Sequence, residues 1–140
     1  MTENKMHIEH PALSLRNLSV AYTKDKPAVK GVTADIKRHS ITAIMGPSGC
    51  GKSTLLRAIN RMHDLYPEIV MQGEIRLNGE DVFNMSTTTL RRKIGMVFQR
   101  PNPFPTMSVY ANVLAGYQLN GFSLKRSEKD EIVEKSLMDV

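Results

Sequence analysis

Residues 46–53 read Gly-Pro-Ser-Gly-Cys-Gly-Lys-Ser and fit the phosphate-loop pattern G-x-x-x-x-G-K-S/T. Few short patterns constrain a chain more. Such a loop is expected to leave a buried strand and open a helix, with its backbone amides turned toward an anion. Gly46, Gly49 and Gly51 allow the tight turns and bring amide hydrogens toward phosphate oxygens. The helix beginning near Ser53 adds its positive dipole end. Lys52 is expected to reach the β- and γ-phosphates, Ser53 to offer a hydroxyl to magnesium, and Thr54 to offer one to phosphate. Pro47, Ser48 and Cys50 are the remaining members of the loop. A glycine-rich turn with an incidental lysine is the simpler reading, but it leaves the strand-loop-helix context unexplained.

That context is legible on both sides. Ile41 to Met45 is a short apolar run suited to a buried central strand. From Ser53 to about Leu65 the pattern is helical, with Leu55, Leu56, Ile59, Met62 and His63 near one side and Pro67 as the stop. Upstream, Leu13-Ser14-Leu15 and Leu18 to Tyr22 alternate apolar and polar with one slip at Arg16-Asn17, which predicts a half-exposed, bulged strand. A charged turn over Thr23 to Pro27 leads to a second alternating run, Val29 to Ile36, with Val32, Ala34 and Ile36 on one side. Downstream, Glu74 to Leu77 predicts a strand ending at the Asn78-Gly79 turn. Met85 to Lys93 predicts a short helix with Ser86 as N-cap, and Ile94 to Gln99 a further strand. Three prolines in Arg100 to Pro105 forbid regular structure there. Ser108 to Leu119 predicts a helix ended by Asn120-Gly121. Ser127 to Val140 predicts another, with Ser127 and Asp130 as a capping box and Ile132, Val133, Leu137 and Val140 facing one way.

At 140 residues the chain is long enough for one domain with a real core and too short for two. Its net charge of +5 favours anionic partners without choosing among nucleotides, nucleic acid and an anionic membrane face. The single cysteine, Cys50, rules out an intramolecular disulfide and argues against a zinc cluster; it suits a reducing cytoplasm. The polar start, residues 1–12, reads as an arm without the apolar core of a signal peptide. No run approaches the roughly 18 apolar residues of a membrane span, so a membrane role is expected to come through a partner. His7, His10, His39 and His63 do not have metal-ligand spacing.

With the loop placed, neighbouring residues become recognisable: Tyr22 in NLSVAYTKDKPAVKGVTADI before it, and Gln99 in KIGMVFQRPNPFP after it. The chain resembles the ATP-binding cassette (ABC) transporter ATPases. The stretches GPSGCGKSTLLRAINRMHDL, GEIRLNGEDV and especially VFQRPNPFPTMSVYANV resemble the Pst-type phosphate-import branch. The phosphate loop alone speaks only for the superfamily; the proline-rich stretch after Gln99 narrows the solute. The resemblance implies an α/β fold: a P-loop NTPase core with an N-terminal antiparallel β subdomain and the start of a helical subdomain. Residues 13–140 would be the N-terminal part of an ABC nucleotide-binding domain.

By the same resemblance Tyr22 would stack on adenine, which the face of an aromatic ring can do for any purine. Gln99 would contact magnesium and the attacking water, since an amide oxygen can do both. Lys52 and Gln99 would be the catalytic members present. Phe104 and Tyr110 would be either permease contacts or local core. The resemblance further implies ATP and Mg2+, membrane permease subunits, a periplasmic or extracellular phosphate-binding protein, and a head-to-tail homodimer of the full-length protein. It places the protein peripherally on the cytoplasmic face of the bacterial inner membrane, with no nucleic acid as partner. Two turn positions depart from the family: Thr23 follows Tyr22 where glycine is frequent, and His39-Ser40 stands where Gly-Glu is frequent. The family's LSGGQ-type signature, catalytic glutamate and switch histidine are not found in these residues. The last helical pattern has no C-cap, so the chain is expected to stop inside an element, and without those motifs it is expected to hydrolyse ATP negligibly by itself. The alternatives are an ABC ATPase for another solute such as an amino acid, a member that remodels nucleic acid, and a non-catalytic nucleotide-binding remnant.

Overall fold

The computed structural model describes residues 10–23 and 26–139. Most of the polar arm expected at the start, two residues of the charged turn, and Val140 lie outside the described residues. The described residues up to Met96 and those from Val97 onward form two compact units.

The first unit is built on a four-stranded antiparallel sheet in the order β2-β1-β3-β4, with β1 at Leu13–Ala21, β2 at Pro27–Ile36, β3 at Val70–Leu77 and β4 at Glu80–Asp81. The slip read at Arg16-Asn17 is a bulge. Pairing shifts between Leu15 and Leu18 against β2 and between Arg16 and Ser19 against β3, and Asn17 adopts φ +47°. Leu13 and Leu15 are odd-numbered, whereas Leu18 and Val20 are even-numbered. A regular strand would send the two pairs to opposite faces; the extra residue lets all four be buried in one core. Across from the bulge, Gly73 has φ +100°, and a Cβ there would run into the carbonyl oxygens of Arg16 and Asn17. Arg16 ties the bulge to β2 through an ion pair with Asp35 at 2.7 Å. The Asn78-Gly79 turn has φ of +53° and +87°, the doubly positive pattern of a tight hairpin.

On this sheet lie α1 (Lys52–Ile59) and α2 (Thr87–Lys93). Their apolar contributions, Ala58, Ile59 and Leu90, join Ile75, Val82 and Met85 in the core. The expected helix to Leu65 is interrupted: α1 ends at Ile59, Arg61 turns left-handed at φ +55°, and Met62–Leu65 is a 3-10 turn. Arg91 of α2 donates to the carbonyls of Asn60 (3.3 Å) and Arg61 (2.7 Å), supplying partners and positive charge where a helix end leaves carbonyls unmet. The break also changes the buried face. Thr54, Ala58, Ile59 and His63 are buried, while Leu56 is exposed. Ser86 caps α2 as expected, its hydroxyl accepting from the Thr89 amide at 3.1 Å.

The apolar runs at Ile41 to Met45 and Ile94 to Gln99 do not form strands, and Ile41 and Val97 are fully exposed. An apolar run becomes a buried strand only when neighbours supply ladder hydrogen bonds and cover both faces. Among the described residues no strand lies beside either run.

In the second unit the proline-rich stretch is irregular and leads to α3 (Val109–Leu119), capped by Ser108 onto the Ala111 amide at 3.2 Å. Gly121, at φ +76°, follows its end. The last helix, α4 (Arg126–Met138), starts before the expected capping box. Lys125 is its N-cap, and the Glu128 carboxylate, rather than Asp130, accepts from the Lys125 amide at 2.6 Å. Asp130 is engaged elsewhere, as acceptor for the Tyr110 hydroxyl at 2.7 Å. Leu114, Ala115 and Val133 are the buried centre of this unit; Leu137 is exposed.

Candidate functional site

The site is assembled where the sheet meets the N-terminus of α1. Gly51 is the N-cap of α1 at φ +99°, and a Cβ there would lie 2.5 Å from the Ala28 carbonyl oxygen of β2. Only glycine permits both that backbone angle and that approach. The loop is thereby held against β2, and an open groove of about 380 Å³ runs between them, lined in part by Ala28, Lys30, Met45, Cys50 and Lys52.

Within the loop, Lys52 folds back on its own backbone. Its Nζ donates to the Gly46 carbonyl at 2.8 Å and the Pro47 carbonyl at 2.7 Å, and lies 3.7 Å from Cys50 Sγ. A lysine carries three donors and no acceptor, and these two carbonyls are the acceptors it finds here. Ser48, Gly49 and Cys50 are exposed, and Cys50 is a free thiol. Ser53, which follows Lys52, is exposed, while Thr54 is buried.

Tyr22 lies just beyond β1, separated from the loop by more than twenty residues of sequence, yet its hydroxyl is 3.0 Å from Thr54 Oγ1. The sheet brings the expected base-stacking ring to the expected phosphate-contacting hydroxyl. Tyr22 is 39% exposed, so it is not closed into the core. His63 completes the group. Its ring stands nearly perpendicular to Tyr22, centroids 5.6 Å apart and planes at 88°, and its Nε2 is 3.0 Å from the Thr54 carbonyl. A carbonyl only accepts, so Nε2 carries the proton. Sequence reasoning gave His63 no role beyond the apolar side of a helix. Its contacts depend on the helix break at Arg61, for which no local motif was legible.

Gln99 belongs to the second unit and is exposed in an irregular segment rather than at a strand end. Phe104 and Tyr110 are both partly exposed. Asn112 locks the segment before α3: its amide oxygen accepts from the Phe104 amide at 2.7 Å, and its Nδ2 donates to the carbonyls of Phe104, Met107 and Ser108. Among the described residues there is no cluster of three or more His, Cys, Asp or Glu able to hold a metal, and no helix long and apolar enough to cross a membrane.

A glycine-rich loop that sets its lysine at a helix N-terminus beside a sheet has the geometry of a P-loop. Residues 29–140 match the ABC transporter family model, and the chain belongs to that family. Curated relatives include the phosphate import ATP-binding protein PstB of Tropheryma whipplei strain Twist, 45% identical over 91% of this chain and 49% of its own length. The PstB of Rubrobacter xylanophilus is 52% identical over 79% of this chain and 39% of its own, and PstB 1 of Streptococcus agalactiae is 54% identical over 91% and 50%. The chain thus spans about half the length of the curated relatives it matches, or less. Among solved structures, a bacterial Atm1-family ABC exporter with ATP bound is similar at TM-score 0.66 and 28% identity, over 79% of this chain and 18% of that one. An ATP-binding cassette in a dimeric post-hydrolysis state with ADP and Pi shares the fold at TM-score 0.73 and 24% identity, over 90% of this chain and 56% of that one.

Proposed function

We propose that this chain is the phosphate-loop half of the ATP-binding subunit of an ABC importer that couples ATP hydrolysis to uptake of inorganic phosphate across the bacterial inner membrane. The observation that carries the solute is the identity of 45–54% to relatives named as phosphate import ATP-binding proteins. The nucleotide is supported by the loop itself. Lys52 exchanges its two loop carbonyls for β- and γ-phosphate oxygens, the amides of residues 48–53 donate to the phosphates, and Thr54 adds its hydroxyl. Tyr22 stacks on the adenine. Ser53 would offer a hard oxygen donor of the kind that suits magnesium, which keeps few protein ligands when phosphates and water supply the rest, and the family resemblance assigns the Gln99 amide oxygen a like role. Bound there, the ion would neutralise charge developing on the phosphates. Gln99 orients the attacking water, and the segment from Arg100 to Met107 with α3 faces the permease. The working assembly is a homodimer on the cytoplasmic face of the membrane, with permease subunits and a solute-binding protein outside.

The test is uptake. Deleting the gene that encodes this chain from its bacterium is expected to abolish high-affinity uptake of radiolabelled phosphate. The intact gene restores uptake and a Lys52→Ala copy does not. Unchanged phosphate uptake with loss of uptake of a labelled amino acid would refute the phosphate reading and support the alternative solute.

A further inference from the structure

Tyr22, Thr54 and His63 form a closed triangle. Tyr22 reaches the Thr54 hydroxyl at 3.0 Å, His63 Nε2–H reaches the Thr54 carbonyl at 3.0 Å, and the two rings pack edgewise at 5.6 Å. His63 is 3% exposed and Thr54 9%, whereas Tyr22 is 39% exposed. The buried corner therefore supports the open one. A tyrosine that closes a strand and is left two-fifths exposed keeps many ring orientations unless something packs against it, and ordering a free ring on binding costs affinity. Perpendicular packing on His63 restricts that ring, and the hydrogen bond to Thr54 anchors its far end.

We propose that His63 is a positioning residue of the nucleotide site, holding the Tyr22 ring in register with the phosphate loop so that the base and the phosphates are met by one preorganised unit. This rests on reading the site as an ATP site. His63 itself does not touch the ligand. Its Nε2–H is committed to the Thr54 carbonyl, which fixes the plane of the imidazole, and that plane sets the orientation of Tyr22. The Thr54 hydroxyl can accept from Tyr22 and still donate its own proton to a phosphate oxygen, so ring and phosphate contact are compatible at one atom.

The test compares ligands with and without a base. The full chain, its His63→Leu variant and its His63→Phe variant are titrated by calorimetry with ATP and with inorganic tripolyphosphate, each with magnesium, after thermal melts have checked folding. Leucine fills the space without a ring; phenylalanine restores an edgewise ring without the donor. His63→Leu is expected to weaken ATP about three- to tenfold, the range of one aromatic pair contact, and tripolyphosphate less than twofold. His63→Phe is expected to recover at least half of the loss on a logarithmic scale. In a Tyr22→Ala background the His63→Leu effect on ATP is expected to vanish. Equal weakening of ATP and tripolyphosphate, or an undiminished effect without Tyr22, would overturn the positioning role while leaving the ATP site intact. If His63→Leu does not fold, an ATP affinity of His63→Phe within about threefold of the parent, with tripolyphosphate less affected, upholds the ring role, and a larger loss or equal loss for both ligands in that variant refutes it. Failure of the parent chain to bind ATP at all would refute the site reading and the inference with it.

Discussion

Gly51→Ala should damage this protein far more than Gly49→Ala, although both glycines belong to the same loop and both have positive φ, +99° and +77°. The difference is space. A Cβ on Gly49 meets nothing within 4 Å, so that substitution costs only the left-handed backbone, about 1–2 kcal/mol. A Cβ on Gly51 lies 2.5 Å from the Ala28 carbonyl oxygen and 3.3 Å from Val29 Cγ2. The first is backbone in a paired strand and cannot rotate away. Relieving it means moving the N-cap of α1 off β2, with overpacking of roughly 1–3 kcal/mol added to the backbone cost. The total is about 2–5 kcal/mol, a large share of the ~5–15 kcal/mol that holds a domain folded. Urea denaturation followed by far-ultraviolet circular dichroism measures it. With a slope of about 2 kcal/mol per molar, the midpoint should fall by ~1–2.5 M for Gly51→Ala and by ~0.5–1 M for Gly49→Ala. Equal midpoints for the two variants would show that the loop does not rest on β2 as described. Nucleotide binding would not discriminate them, since both alter the phosphate cradle.

Three further outcomes follow from the same geometry. Lys52→Ala should abolish measurable ATP binding by calorimetry yet leave the melting temperature within a few degrees, because the hydrogen bonds it loses are surface-exposed and internal to the loop; a large destabilisation would mean that Lys52 is a structural strut. Alkylation of the exposed Cys50 should block ATP binding, and bound ATP should slow the alkylation measured by mass spectrometry; full affinity after complete modification would sink that expectation. The hydrogen bond to Asp130 raises the Tyr110 hydroxyl above its ordinary pKa, with smaller contributions from burial and from the aspartate charge. A raised pKa favours the protonated folded form. The contribution of this link between α3 and α4 is therefore full below the unfolded tyrosine value of about 10 and is lost as pH rises through the higher folded value. Melts across that alkaline window should show a steeper decline for the parent than for Tyr110→Phe, and identical slopes would refute it.

Much of this molecule was legible locally. The phosphate loop, the slip at Arg16-Asn17, the Asn78-Gly79 turn and the Ser86 cap each depend on backbone geometry within a few residues. Side chains that satisfy or permit that geometry announce it directly. The α4 cap was misread by two residues because Ser127 and Glu128 both suit a helix start, and the choice fell to the Glu128 carboxylate reaching the Lys125 amide. The break in α1 was missed for a different reason. Arg61 turns left-handed where Arg91, thirty residues later, collects the Asn60 and Arg61 carbonyls.

The sequence by itself determined the family and the phosphate-loop pattern, because that pattern is a set of particular residues at particular spacing. It also determined which runs are apolar. It did not determine which of those runs pair. Ile41 to Met45 and Ile94 to Gln99 are as apolar as β1, but a strand is a relation between segments, and among the described residues the tertiary structure supplied strand partners to neither run. The triangle of Tyr22, Thr54 and His63 was likewise a tertiary decision. Three residues from a strand end, a helix and a 3-10 turn meet only after the bulge in β1, the approach of Gly51 to Ala28 and the break at Arg61 have each set the direction of the chain.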